Sequence, residues 1–195
     1  MTRNENQAGF TLLELVIGMT LATVIMGSVF VVQKTSTDSF GSAVSEHRNT
    51  QFLRGGIKQI KMELRSARDS SIETLPYDPG MVDPVLEFQN AVGFDIANGS
   101  AKWGGGGVQD ATIQYMVVNG NLERWVVDDQ GQTIQQEVLV QNLDMSLKNG
   151  PPVDFSWDPV KRVVDLTIRT SNTVEGRPVS RAVSSVVHVE SVYSF

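Results

Sequence analysis

Phe10-Thr11-Leu12-Leu13-Glu14-Leu15-Val16-Ile17 opens a stretch that stays apolar as far as Val32 and holds a single charged residue, Glu14. As a helix, Phe10 to Val32 would be about 35 Å long, enough to cross a hydrocarbon core of about 30 Å. A cleaved secretory signal needs a basic start, a shorter apolar core and a small residue after that core. Here the small residue, Gly9, comes first. A cut at Gly9 would remove only the polar leader Met1 to Gly9 and leave the apolar helix at the new terminus. The carboxylate is the second clue, because an acid at membrane depth costs about 3 kcal/mol and calls for a partner.

Gly9-Phe10-Thr11-Leu12-Leu13-Glu14-Leu15 resembles the cleavage and methylation motif of type IV prepilins and type II secretion pseudopilins. The resemblance implies that a membrane aspartyl peptidase cuts after Gly9 and that Phe10 becomes an N-methylated terminus. It also implies that Glu14, fifth in the mature chain, meets the N-terminal amine of a neighbouring subunit during filament assembly. Such pairing agrees with physics, since a carboxylate and an ammonium are each costly alone in hydrocarbon and less so together. The leader is only weakly basic, with Arg3 opposed by Glu5. A signal-anchored periplasmic binding or receptor protein, left unprocessed, is the alternative.

Composition points to a single modest domain behind the anchor. The 195 residues carry 16 Lys and Arg against 22 Asp and Glu, a net charge of −6. That disfavours sequence-independent nucleic-acid binding, which relies on basic surfaces. Cysteine is absent, which removes disulfides, Cys-type zinc sites and thiol catalysis together. By resemblance, many major pilins close a C-terminal loop with a disulfide, so this chain leans towards pseudopilins or minor pilins.

The expected fold is α+β: a long N-terminal helix, transmembrane in its first half and amphipathic in its second, packed on an antiparallel β-sheet domain as in pilins. Residues 1–9 are the leader, 10–33 the membrane half, 34–70 the amphipathic half and 71–195 the β-rich domain. Gln33 to Gly41 is rich in Ser and Thr, and a second helical pattern follows it. Leu53, Ile57, Ile60, Leu64 and Ala67 form its apolar seam, flanked by Lys58, Lys61, Arg65 and Arg68. Gly55 and Gly56 interrupt the pattern and mark either a bend or a close approach to the sheet.

From Ile72 the period changes. Pro76 to Pro84 reads as a loop and Val85 to Phe88 as a strand. Gly104 to Gly107 reads as a flexible loop, with no Lys-Ser or Lys-Thr after it to make a phosphate loop. Thr112 to Val118 and Leu122 to Val127 flank Asn119-Gly120, the favoured pair for a two-residue hairpin. Val138 to Leu147, Val153 to Trp157, Arg162 to Arg169 and Ala182 to Tyr193 are further strands, with Asn172 to Pro178 a linker. The order of elements after Tyr115 resembles the J-type minor pseudopilin of type II secretion. The K-type tip subunit characteristically lacks the glutamate that this chain has.

Chemistry-bearing groups are sparse. His47 and His188 have no acid or serine at ligand or triad spacing, so both read as surface or structural. Asp128-Asp129-Gln130-Gly131 lacks the alternating acids of a calcium loop and reads as a turn. No cofactor, metal or catalytic residue is expected, and the chain reads as a structural subunit and not an enzyme. The site residues are Gly9 and Phe10 for cleavage, Phe10 for methylation and Glu14 for assembly. The expected partners are other pilin or pseudopilin subunits, prepilin peptidase, the inner-membrane assembly platform and, before assembly, membrane lipid. The expected location is the bacterial inner membrane, single pass, with the C-terminal domain periplasmic.

Overall fold

The computed structural model describes residues 11–80, 83–98, 100–174 and 177–190, with side chains 172–178 also outside the description. The fold is α+β. Among the described residues one α-helix, α1 (Leu12–Arg65), and a 3-10 turn at Asp69–Ser71 precede eleven strands in three antiparallel sheets. The chain divides into two compact units, Met1–Val44 and Ser45–Phe195.

The Ser/Thr-rich segment after Val32 does not interrupt α1. Thr35 and Thr37 turn their hydroxyls onto the carbonyls of Val31 and Gln33, 2.9 Å in each case, so they do not compete for backbone donors. At its other end α1 tightens into three-residue bonds, from Ser66 N–H to the Glu63 carbonyl and from Ala67 N–H to the Leu64 carbonyl. Ala67 lies just past the helix, fully buried, in a bridge to Asn90.

In the second unit the expected seam is the buried face. Leu53, Ile57, Ile60 and Leu64 pack into one apolar cluster with Leu86, Phe88, Ile113, Tyr115, Leu122 and Val140. Those sheet residues belong to β2 (Leu86–Phe88), β6 (Thr112–Val118), β7 (Asn121–Val127) and β8 (Thr133–Val140), which with β1 (Glu73–Thr74) form a sheet in the order β1-β2-β6-β7-β8. A second sheet joins the same cluster. It is ordered β11-β10-β9 and made of β9 (Val153–Asp158), β10 (Val163–Val174) and β11 (Arg177–His188). Val153, Phe155, Leu166 and Ile168 supply its inner face. Tyr115 lies at the centre, its ring stacked 6.0 Å from Phe88 and tilted 6.3 Å from Phe155.

Gly56 explains how the helix comes so close to the sheet. A Cβ there would lie 2.8 Å from Val140 Cγ2 and 3.2 Å from the Leu139 carbonyl oxygen, whereas a Cβ at Gly55 would meet nothing within 4 Å. The two glycines therefore have opposite roles. Gly56→Ala is expected to destabilise the β-rich unit by about 1–3 kcal/mol through overpacking. Gly55→Ala is expected to stabilise it by about 1 kcal/mol through helix propensity. Thermal unfolding of the two full-length variants in detergent checks the opposite signs.

Three expectations change. Gly104 to Gly107 is no flexible loop: β3 (Asn90–Asp95), β4 (Ser100–Gly105) and β5 (Val108–Gln109) form a small sheet whose last turn is Gly106-Gly107, at φ 56° and 85°. A Cβ at Gly104 would lie 1.9 Å from the Val108 oxygen, so only glycine permits that pairing. The strand expected at Val138 to Leu147 begins and ends earlier, because β7 pairs with Thr133–Val140 and the next residues turn away. That turn carries Asn142 and Leu147 at positive φ. Finally, the linker expected at Asn172 to Pro178 is largely strand, since β10 and β11 stay paired out to Val174 and Arg177, so the strand expected at Ala182 to Tyr193 starts at Arg177 and ends at His188, with Tyr193 outside the described residues. The Asn119-Gly120 hairpin is as expected, with φ 50° and 75°.

Candidate functional site

Helix α1 starts with a reciprocal cap. Thr11 precedes its first residue and Glu14 is its third, the Thr-x-x-Glu spacing of a capping box. Glu14 Oε2 accepts from both Thr11 N–H and Thr11 Oγ1–H at 3.0 Å, and Glu14 N–H donates to Thr11 Oγ1 at 3.3 Å. Each partner thus satisfies an orphan donor of the other. The carboxylate is turned towards the helix N-terminus, where the backbone dipole favours negative charge. Both bonds fall on Oε2. Among the described residues, Oε1 accepts none. Gly9 and Phe10 lie outside the described residues.

Beyond the cap, α1 is mostly apolar as far as Val32, and that stretch is exposed. The most hydrophobic window of this helix has a mean hydropathy of 2.4 and none of it is buried within the chain. Leu12, Met26 and Val32 are 81%, 76% and 68% exposed, values that water would penalise and hydrocarbon would not. Each hydroxyl in this stretch is already satisfied. Thr20 Oγ1 donates to the Val16 and Ile17 carbonyls, Thr23 Oγ1 to Met19 and Ser28 Oγ to Val24, all at 2.8–3.0 Å. In hydrocarbon this matters, because an unpaired polar group there costs several kcal/mol. Glu14 is left as the polar side chain of the span with unfilled bonding capacity. Gly18 and Gly27 have nothing within 4 Å of where a Cβ would be, so their faces are open to a close neighbour.

The β-rich unit contains one charged cluster of note, between helix and sheet. Glu63 Oε1 is 2.8 Å from Arg124 Nε, Glu63 Oε2 accepts from the Tyr115 hydroxyl at 2.6 Å, and Arg124 also donates to Gln135 Oε1 at 3.2 Å. The Arg124 and Glu63 side chains are only 5% and 17% exposed. Burial, reinforced by the Glu63 charge, pushes the Tyr115 hydroxyl well above its usual range and keeps it a donor. A second buried acid, Glu123, is satisfied by neutral donors, Trp125 Nε1 at 2.9 Å and Gln136 Nε2 at 2.7 Å. These groups fasten elements together.

The other flagged residues are dispersed. His47 is exposed and bonds Gln51 one turn along α1, while His188 is exposed at the end of β11. Asp128 closes the β7–β8 turn by accepting from Gln130 and Gln132 N–H, as the turn reading requires. Asp158 accepts from Val160 and Lys161 N–H, which holds its carboxyl below the usual carboxylate range. Asp144 is held low as well, by the Ser146 and Ser180 hydroxyls. No group of three His, Cys, Asp or Glu able to hold a metal occurs among the described residues. An open groove of about 600 Å³ between α1 and β8 is lined by Arg48, Phe52, Gly55, Gln59 and Glu137.

Sequence reading had Glu14 as an isolated charge seeking a partner and overlooked the local one. The signal was present, since Thr11-Leu12-Leu13-Glu14 matches the Ser/Thr-x-x-Glu start pattern before an apolar run. Glu63 was also legible as an acid on the otherwise apolar seam, three residues after Ile60 and one before Leu64.

A family profile, the prokaryotic N-terminal methylation motif, matches residues 5–30. Neither the curated proteins nor the solved structures yield a match. The chain therefore carries a type IV prepilin-like methylation motif at the head of an apolar helix long enough to cross a membrane.

Proposed function

We propose that this chain is a minor pseudopilin or minor pilin, a structural subunit that prepilin peptidase processes and that assembles through its N-terminal helix. The observation that carries the reading is the coincidence of the methylation motif with an exposed apolar first stretch of α1, Leu12 to Val32, whose one charge, Glu14, sits at its start. In this reading residues 1–9 are a leader removed after Gly9, and Phe10 becomes the methylated terminus. Residues 10–33 span the inner membrane, 34–70 continue the helix onto the periplasmic domain, and 71–195 form that domain. Lipid surrounds the span until neighbouring subunits replace it.

Glu14 then acts twice. In the lone chain Thr11 fills Oε2 and the helix starts cleanly. In the filament Oε1 is free to meet the amine of a neighbour's Phe10. Within the pilin-like group, the order of strands and the absence of cysteine favour a J-type minor pseudopilin or a large minor pilin. Assembly then depends on a membrane platform and an ATPase outside this chain.

Coexpression with a prepilin peptidase, followed by intact-mass measurement, tests the reading. The expected mass is that of the chain without Met1 to Gly9 plus one methyl group. An uncut chain would instead indicate a signal-anchored protein and would remove the assembly role.

A further inference from the structure

Charge is sharply segregated along the second unit. From Arg48 to Arg68 there are six Lys or Arg and one acid, Glu63, which is already engaged by Arg124 and Tyr115. From Asp69 to Ala101 there are six Asp or Glu and neither Lys nor Arg.

On α1, Arg54, Lys58, Lys61 and Arg65 follow at steps of four, three and four residues, which puts them on one helix face. Arg54, Lys58 and Arg65 are exposed, and none of the four enters an ion pair among the described residues. Neighbouring like charges repel. The dipole of the helix end relieves Lys61 and Arg65, but Arg54 and Lys58 lie about two turns or more upstream, beyond its reach. The face therefore gains from an external acidic surface.

Such a surface exists on the same chain. A cleft of about 170 Å³ is lined by Leu75, Pro76, Tyr77, Asp78, Asp83 and Val117. Asp78 Oδ1 accepts from Gly80 N–H at 2.8 Å, and neither Asp78 nor Asp83 has a cationic partner among the described residues. Leu75 is 46% exposed at its wall. Apolar and aromatic walls with two carboxylates suit a guest with an aliphatic stem and a cationic end, that is, a lysine or arginine side chain.

We propose that the basic face of α1 in one chain docks on the Asp78/Asp83 cleft of a second copy. Because the two surfaces differ, the contact is heterologous and leaves one of each surface unpaired at either end of a pair. An anionic lipid surface would attract the helix face too, but it gives the acidic cleft no role. The contact needs neither cleavage nor Glu14, so it goes beyond the filament reading and survives if that reading fails.

The absence of cysteine makes a clean test available. Met62 is exposed beside the helix face and Leu75 at the wall of the cleft, and replacing them removes no charge. Full-length Met62→Cys and Leu75→Cys chains are mixed in detergent and oxidised. The mixed disulfide dimer is expected in about tenfold excess over either homodimer, as a heterologous contact requires. Its yield should fall several-fold as salt rises from about 0.05 M to about 0.5 M. Adding Asp78→Lys and Asp83→Lys to the Leu75→Cys chain should abolish it, and adding Lys58→Glu and Lys61→Glu to the Met62→Cys chain should restore it. Recovery by the second pair shows that the reversed chains are folded. Homodimers in equal yield, indifference to the cleft reversal or failure of the rescue would overturn the proposal. So would protection of the Met62→Cys thiol from a maleimide by phosphatidylglycerol vesicles but not by the second chain, which would assign the face to a membrane surface.

Discussion

Glu14→Leu is expected to be cleaved and inserted normally yet to enter filaments at least about tenfold less well than the parent chain. The estimate follows from leaving a neighbour's amine unpaired in hydrocarbon, a loss of at least about 1.4 kcal/mol per contact. The cap at the head of α1 makes a sharper experiment possible, because Glu14 has a local bond and a proposed distant one. Glu14→Gln keeps a side-chain oxygen able to accept from Thr11, since glutamine also serves at that capping position. It removes only the charge. Thr11→Val does the reverse. If pairing with the amine governs assembly, Glu14→Gln should fail about as badly as Glu14→Leu, and Thr11→Val should assemble. The fraction of subunit recovered in sheared filaments measures this. Normal incorporation of Glu14→Gln would refute the pairing role and leave Glu14 as a helix cap alone.

Glu63→Leu is expected to be the most damaging single change in the β-rich unit. It strands Arg124, whose side chain is 5% exposed, and takes the acceptor from the Tyr115 hydroxyl. Breaking one side of a buried pair costs about 3–5 kcal/mol, and the 17% exposure of the Glu63 side chain places this case near about 3 kcal/mol. The double variant Glu63→Leu, Arg124→Met should recover most of that loss, since the uncompensated cation goes with its partner. Chemical denaturation of the three full-length chains in detergent gives the comparison. If Glu63→Leu falls within about 0.5 kcal/mol of the parent, the cluster contributes little to stability.

The parts of this fold that sequence reveals are those governed by one strong local rule. The seam at Leu53, Ile57, Ile60 and Leu64 follows the helical period and is buried. Asn119-Gly120 supplies the two positive φ angles that its hairpin needs. Val164, Leu166 and Ile168 alternate and share a buried face. The parts that stayed hidden depend on partners distant in sequence. Gly104 looked like an element of a flexible run because glycine suggests freedom, whereas here it admits the Val108 carbonyl at a distance no side chain allows. The start of β8 at Thr133 is set by its register against Val127, and the exposed Gln and Glu residues of β8 give little hydrophobic signal. At the candidate site the order of prominence was reversed. The lone charge was obvious, while the ordinary threonine three residues before it supplied the local structure.

The self-bonded hydroxyls of Thr20, Thr23 and Ser28 bear on how readily the helix could change its surroundings. A helix that leaves lipid for a bundle usually trades some hydrogen bonds for others, and that trade sets a barrier in both directions. Here these side chains have no such bonds to surrender. A change of surroundings from lipid to neighbouring helices would leave their internal bonding unchanged. The difference between the two environments then reduces to side-chain packing and the state of one carboxylate.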